Sequence, residues 1–181
     1  MNAIDMIKNR RSIRKYSDEI VPKALMEEII EITRWSPSWT NSQTPRFTLV
    51  NDTTVISKIA TQGVKGFVYN AATLENARNI AVLSFVKGKS GRAEKYEIET
   101  DDNPERWEYF DAGIACQTFC LAAHANGIGT CIFGIIDEKV IAEAINLPED
   151  EQVAALIVYG YPNQEAKPPR RKEVEELVRF I

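Results

Sequence analysis

Residues 111–134 read DAGIACQTFCLAAHANGIGTCIFG. From 111 to 126 small and apolar residues occupy nearly every position. A helix carries such a pattern when it is central to a core or lies in a subunit interface. Asn103-Pro104 supplies a cap and a proline for its start, and Gly127 fits the left-handed residue that ends it. The apolar run 131–133 then predicts a short strand directly after the turn.

Working outward, 79–86 is a continuous apolar run that predicts a buried central strand, and 153–159 predicts another. Residues 46–51 alternate as a strand, and Asp52 is placed to cap a short helix reaching 61. A first helix is predicted over 4–11. A second begins at Pro22, buries Leu25, Ile29 and Ile32, and ends near Trp35, because Pro37 disfavours helical geometry at Ser36. Helices are also predicted over 138–145 and 173–180. The polar stretch 87–102 reads as a mobile excursion, and SPSWTNSQTP (36–45) as an ordered, proline-bounded loop. Helices and strands mix without βαβ regularity. The expected fold is therefore α+β, a central, mainly antiparallel sheet flanked by helices, with 1–181 forming one domain.

The 181 residues, with 44% apolar and 27% charged content, argue for a globular chain rather than a disordered one. A net charge of -4 argues against a nucleic-acid binder, which must neutralise many phosphates. No run of about 18 apolar residues suggests a membrane span. The N-terminus shows no apolar leader core, and three cysteines do not suggest a disulfide framework, so a reduced, cytoplasmic setting is expected.

Against that acidic background, Arg10-Arg11-Ser12-Ile13-Arg14-Lys15-Tyr16 concentrates four cations and two hydroxyls. Guanidinium groups at a helix end and the following turn can grip a phosphate bidentately, and a serine adds a directed donor. A second cluster, Pro168-Pro169-Arg170-Arg171-Lys172, lies near the other end of the chain. The two can converge on one small anion. Between them, Pro37 to Gln43 offers amides and hydroxyls suited to a flat heteroaromatic edge.

Other motifs carry less. Gly127-Ile128-Gly129 is not a dinucleotide fingerprint, because here the helix precedes the glycines and the strand follows. Cys116, Cys120 and His124 share a helix face, but no second Cys or His pair closes a zinc site, so the cysteines read as small buried hydrophobes and no metal is expected. No nucleophile elbow, P-loop or paired-carboxylate motif appears. Chemistry, if present, is expected to be carried by a cofactor.

Taken in order, RRSIRKY, SPSWTNSQTPRF, DAGIACQTFCLAAHANGIGTCIFG and GYPNQEAKPPRRKEVEELV resemble the signature segments of the nitroreductase family, nearly end to end. The resemblance implies a nitroreductase-like fold, an intertwined homodimer with FMN at each subunit interface, and NAD(P)H as electron donor. It implies that Arg10, Arg11 and Ser12 hold the FMN phosphate with Arg170 or Arg171, and that Arg14 meets the pyrimidine edge, with Asn70 a further candidate there. Pro37, Ser38 and Asn41 would reach the flavin of the other subunit. Gly134 and Ile135 would bring a backbone N–H to flavin N5.

It further implies a small acceptor such as a nitroaromatic or quinone, stacked near Trp39, Trp107 or Tyr109, with 87–110 as a lid. Dehalogenation, enoate reduction and oxidative flavin breakdown use the same fold, and a non-catalytic flavin sensor is a further alternative. Two departures bear on substrate choice: Trp39 stands where the family often has a small residue, and Arg46 where it has an aromatic. The short C-terminus implies a reduced partner-embracing arm.

Overall fold

The computed structural model describes residues 2–92 and 103–181. Four strands form one antiparallel sheet in the order β1-β2-β4-β3: β1 Pro45–Val50, β2 Asn79–Val86, β3 Gly129–Phe133 and β4 Glu151–Gly160. The α+β expectation holds.

Alternation along β2 and β4 sends side chains into two cores. Ile80, Val82, Leu156 and Val158 join one, beneath α3 (Thr53–Gln62), α4 (Val68–Glu75) and α6 (Glu138–Ala144). Ala81, Leu83, Phe85, Ile157 and Tyr159 join the other, beneath α2 (Lys23–Thr33) and α5 (Glu105–Ala125). Helices thus cover both faces. This is why β2 is apolar without alternation although its neighbours are antiparallel.

The caps follow the sequence. Asp52 Oδ1 accepts from the amides of Thr54 (2.7 Å) and Val55 (3.2 Å), and Gly127 adopts φ +76° after α5. The face of α5 bearing Ala112, Ala115, Cys116, Phe119 and Ala123 is buried, whereas Phe110, Gln117 and Gly113 stay exposed opposite it.

Four expectations change. α2 ends at Thr33 and buries Ile29 as expected, but Met26 and Thr33 rather than Leu25 and Ile32, which is 47% exposed, because the stripe that meets α5 runs through 26, 29 and 33. α1 is Ala3–Asn9 and buries nothing. α4 was not expected. The final helix over 173–180 is instead one 3-10 turn, Val174–Glu176, closed by reciprocal Glu173 and Glu176 bonds. Val174, Leu177 and Phe180 there stay largely exposed, and a short helix without tertiary packing is marginal in water.

The segment after α1 is stitched between β3 and the stretch beyond β4. Ser12 bridges Thr130, the Ile13 amide donates to Thr130 O at 2.9 Å, and Tyr16 bridges Pro162. The buried Tyr16 hydroxyl bonds the carbonyls of Ile13 and Val158. Gly129 is required at this seam, since a Cβ would lie 2.7 Å from Ile13 Cγ1. By this route the N-terminal cations are fixed beside the C-terminal ones.

Candidate cofactor site at the edge of the sheet

Arg10 is the cap at the end of α1, where the chain turns extended (φ -58°, ψ 133°). A cavity of about 440 Å³ lies beside it. Arg10, Arg11, Arg14, Lys167 and Arg171 line it, with Ser12 and Gln164, against one acid, Glu165. Arg170 does not line it. None of these five cations forms an ion pair among the described residues. Arg11 donates to the carbonyls of Lys8 (2.6 Å) and Arg10 (2.9 Å), and the Arg14 amide donates to Gln164 Oε1 at 3.1 Å. So many guanidinium donors beside a serine hydroxyl suit a phosphate dianion.

From Thr130, bridged to Ser12, β3 runs to Phe133 and then Gly134, about 13 Å at the rise of an extended strand. β3 is one outer edge of the sheet, covered at Thr130 by the Ser12 bridge. Gly134 and Ile135 are exposed at its far end, and a Cβ on Gly134 would meet nothing within 4 Å. Asn70 Nδ2 donates to Ile135 O at 3.4 Å, which joins the first turn of α4 to this end. Phe67, Val68 and Tyr69 stand exposed beside it, a group that sequence reasoning missed because α4 itself was missed. The edge therefore offers an anion grip at one end and an open, apolar-flanked main chain at the other. An elongated ligand with a terminal phosphate and a flat ring fits that donor set.

The remaining expected residues gather elsewhere. Pro37 and Ser38 line a separate cavity of about 340 Å³ with Phe47, Arg46 and Ala115. Thr40 (φ 44°), Asn41 (φ 57°) and Gln43 (φ 50°) hold left-handed backbone without being glycine, a strain of about 1–3 kcal/mol each. Arg46 clasps the loop by donating to the carbonyls of Gln43 (2.8 Å) and Pro45 (3.0 Å). Trp39 and Trp107 pack with centroids 4.5 Å apart, and Trp107 meets Phe110 edge-on.

Trp107 and Tyr109 lie on α5, as its expected start at Asn103-Pro104 implies, so that end of the expected 87–110 lid is helix, and 93–102 of it lie outside the described residues. Tyr109 does not join the tryptophans. It points to Phe85 and accepts from Gln152 Nε2 at 2.7 Å. Beneath the tryptophans, Asp111 accepts from Trp39 and Ser42, a role visible in sequence only as a lone acid at a buried position of an apolar helix.

Cys116, Cys120 and Cys131 are buried free thiols. The hydrogen bond between Cys116 and Cys120 pulls the Cys120 thiol down, to about 7, and pushes the Cys116 thiol up. Among the described residues no group of His, Cys, Asp and Glu is arranged to hold a metal ion, and no helix is long and apolar enough to cross a membrane.

His124, at the end of α5, lines a neighbouring cavity with Arg10 and Arg11. Desolvation first, and then the charges of Arg10 and Arg11, depress its pKa below 6.5. The unfolded chain therefore takes up this proton more readily. The associated stability is present above pH 6.5 and is lost as pH falls from 6.5 through the folded value. An anion seated on Arg10 and Arg11 would cancel their share of the depression. His124 is the only histidine, so one imidazole NMR resonance reports it. Its titration midpoint should rise when inorganic phosphate is added, and an unchanged midpoint would show that phosphate does not settle there.

A model of the nitroreductase family matches residues 7–161. An NADH dehydrogenase from Thermus thermophilus is 25% identical over 191 residues, covering 93% of this chain and 91% of its own. The FMN reductase (NAD(P)H) of Bacillus subtilis is 28% identical, covering 92% of this chain and 69% of its own. The solved FMN-dependent nitroreductase of Clostridium difficile R20291 superposes with a TM-score of 0.77 at 27% identity, covering 98% of each chain. With the family model spanning all four strands and the N-terminal arginines Arg10, Arg11 and Arg14, this chain belongs to the nitroreductase family.

Proposed function

We propose that residues 1–181 form one flavin-binding domain of a cytoplasmic, FMN-dependent oxidoreductase that passes hydride from NAD(P)H to a small acceptor such as a nitroaromatic or a quinone. The observation that carries this reading is the sheet edge, with five cations around Ser12 at one end and the open Gly134–Ile135 main chain at the other. FMN, when bound, supplies the hydride chemistry.

The chain's own residues bind and orient. Arg10, Arg11, Ser12 and Arg171 hold the phosphate, Arg171 being better placed than Arg170 because only it lines the cavity. Arg14 and Asn70 serve the pyrimidine edge, where positive charge favours the reduced ring. A main-chain N–H at Gly134 or Ile135 would serve flavin N5, since the open space at Gly134 leaves room for a ring to approach. Such a site asks for preorganised donors rather than a general base, which suits a chain with a single histidine.

A homodimer completes the site. About 20 Å of α5 separates Asp111, which anchors the Trp39 loop, from His124, which borders the arginines. Pro37, Ser38 and Asn41 accordingly serve the flavin of the other protomer. Trp39, with Trp107 behind it, offers that protomer's acceptor a stacking surface, and the Trp39 Nε1 donor is buried without a partner among the described residues. The open face of α5 and residues 167–181, every one of them exposed in the single chain, provide surface for a second copy.

Anaerobic absorbance of the purified protein, before and after NADH and then NADPH, tests the reading. A bound flavin bleached by either donor is the expected result, with sedimentation at twice the mass of one chain. Bound flavin that neither donor bleaches would mark a sensor. A colourless protein that FMN cannot reconstitute would end the proposal.

A further inference from the structure

The turn Thr40-Asn41 combines a β-branched residue at φ 44° with Asn at φ 57°. Left-handed backbone of this kind persists only when the surroundings over-determine it. One side chain supplies much of that restraint. Asp111, 1% exposed, accepts the Trp39 amide on Oδ1 (3.0 Å) and Oδ2 (3.1 Å) and the Ser42 hydroxyl on Oδ2 (3.2 Å). These anchors lie immediately before and after Thr40-Asn41, so both ends of the turn are fixed to α5.

The same Oδ2 accepts the Ser90 hydroxyl at 2.5 Å, and one turn earlier Glu108 accepts the Gly88 amide at 2.5 Å. Asp111 has no ion pair among the described residues, so hydrogen bonds compensate its burial. A buried carboxylate with four bonds to two separate loops does more than fill space in an apolar helix.

We propose that Asp111 is a positioning residue: its carboxylate holds the 38–42 turn in the shape it presents to the flavin of the other protomer and ties that shape to the 87–90 segment. The proposal rests on the flavin-dependent reading above. Asp111 touches no cofactor itself. It acts through Trp39 and Ser42, whose placement sets where Ser38 and Asn41 can reach. Asparagine at this position keeps the volume but turns one acceptor into a donor facing amide and hydroxyl donors.

The test compares wild type, Asp111→Asn, Ser42→Ala and the double variant. FMN affinity is read by fluorescence quenching where each flavin-free protein is folded, and near-UV circular dichroism of flavin-free protein reports the Trp39–Trp107 pair. Asp111→Asn should weaken FMN about 10-fold or more and Ser42→Ala about 3-fold, with the double variant no worse than Asp111→Asn because both act on one network. The tryptophan signal should diminish in Asp111→Asn.

A folded Asp111→Asn with wild-type FMN affinity and an unchanged tryptophan signal would overturn the proposal even if its melting temperature fell, since that is what a purely structural residue gives. If Asp111→Asn does not fold, Ser42→Ala decides by the same two readings. If wild type binds no FMN, the flavin reading fails on its own, and the dichroism comparison still reports whether Asp111 holds the turn.

Discussion

Arg10→Ala should bind FMN about 10- to 150-fold more weakly than wild type, corresponding to the roughly 1.5–3 kcal/mol of a charge-assisted hydrogen bond. Arg10 is the arginine that isolates this effect. Its neighbour Arg11 spends donors on the carbonyls of Lys8 and Arg10, so removing it also disturbs the end of α1. Arg10 borders both the arginine cavity and the cavity holding His124. Its guanidinium is thus available to a ligand, while only its amide, donating to Met6 O at 3.1 Å, takes part in the cap. Arg10→Lys keeps the charge and loses the planar fork, so it should fall between the two. Fluorescence titration of flavin-free protein at two salt concentrations gives the comparison. Wild-type affinity in Arg10→Ala would remove this residue from the phosphate site.

The sheet was legible because its strands state their environment. The unbroken apolar run 79–86 needs cover on both faces, and helices provide it on both. The arginine cluster was legible because its charge runs against that of the whole chain, and the seam at Thr130 and Pro162 supplies the reason both ends of the chain meet. What escaped was set by partners distant in sequence. The phase of α2 depends on which side meets α5, so Met26 rather than Leu25 is buried. The Trp39 loop looked like a set of polar donors for a ligand. In the folded chain several of those donors are directed inward to Asp111, a residue 72 positions away from Trp39. The 173–180 pattern has helical spacing, but its apolar residues Val174, Leu177 and Phe180 stay exposed, and spacing alone does not make a short helix stable.

Phe119→Ala should cost about 3–5 kcal/mol of stability, the range for deleting a buried aromatic ring whose surroundings cannot collapse into the space. Phe119 is 0% exposed. Its ring stacks on Phe47 at 5.0 Å and meets Tyr159 edge-on at 6.2 Å, so it ties α5 to a strand at the sheet edge and to a strand in its interior. β1 and β4 are held apart by β2, which leaves neither free to move into the cavity. In a chain of this length the melting temperature should fall by roughly 6–20 °C, read on flavin-free protein by calorimetry. The opposite side of α5 supplies the internal contrast. Leu121, half-buried and about 200° around the helix from Phe119, should cost little in a single chain when replaced by alanine. The same change should make unfolding more dependent on protein concentration if that side meets a second copy. A Phe119→Ala loss below about 1 kcal/mol would mean that α5 is not seated on the sheet as described. The loop held at its Asp111 end and the arginines beside its His124 end would then lack the common support that places both halves of the site.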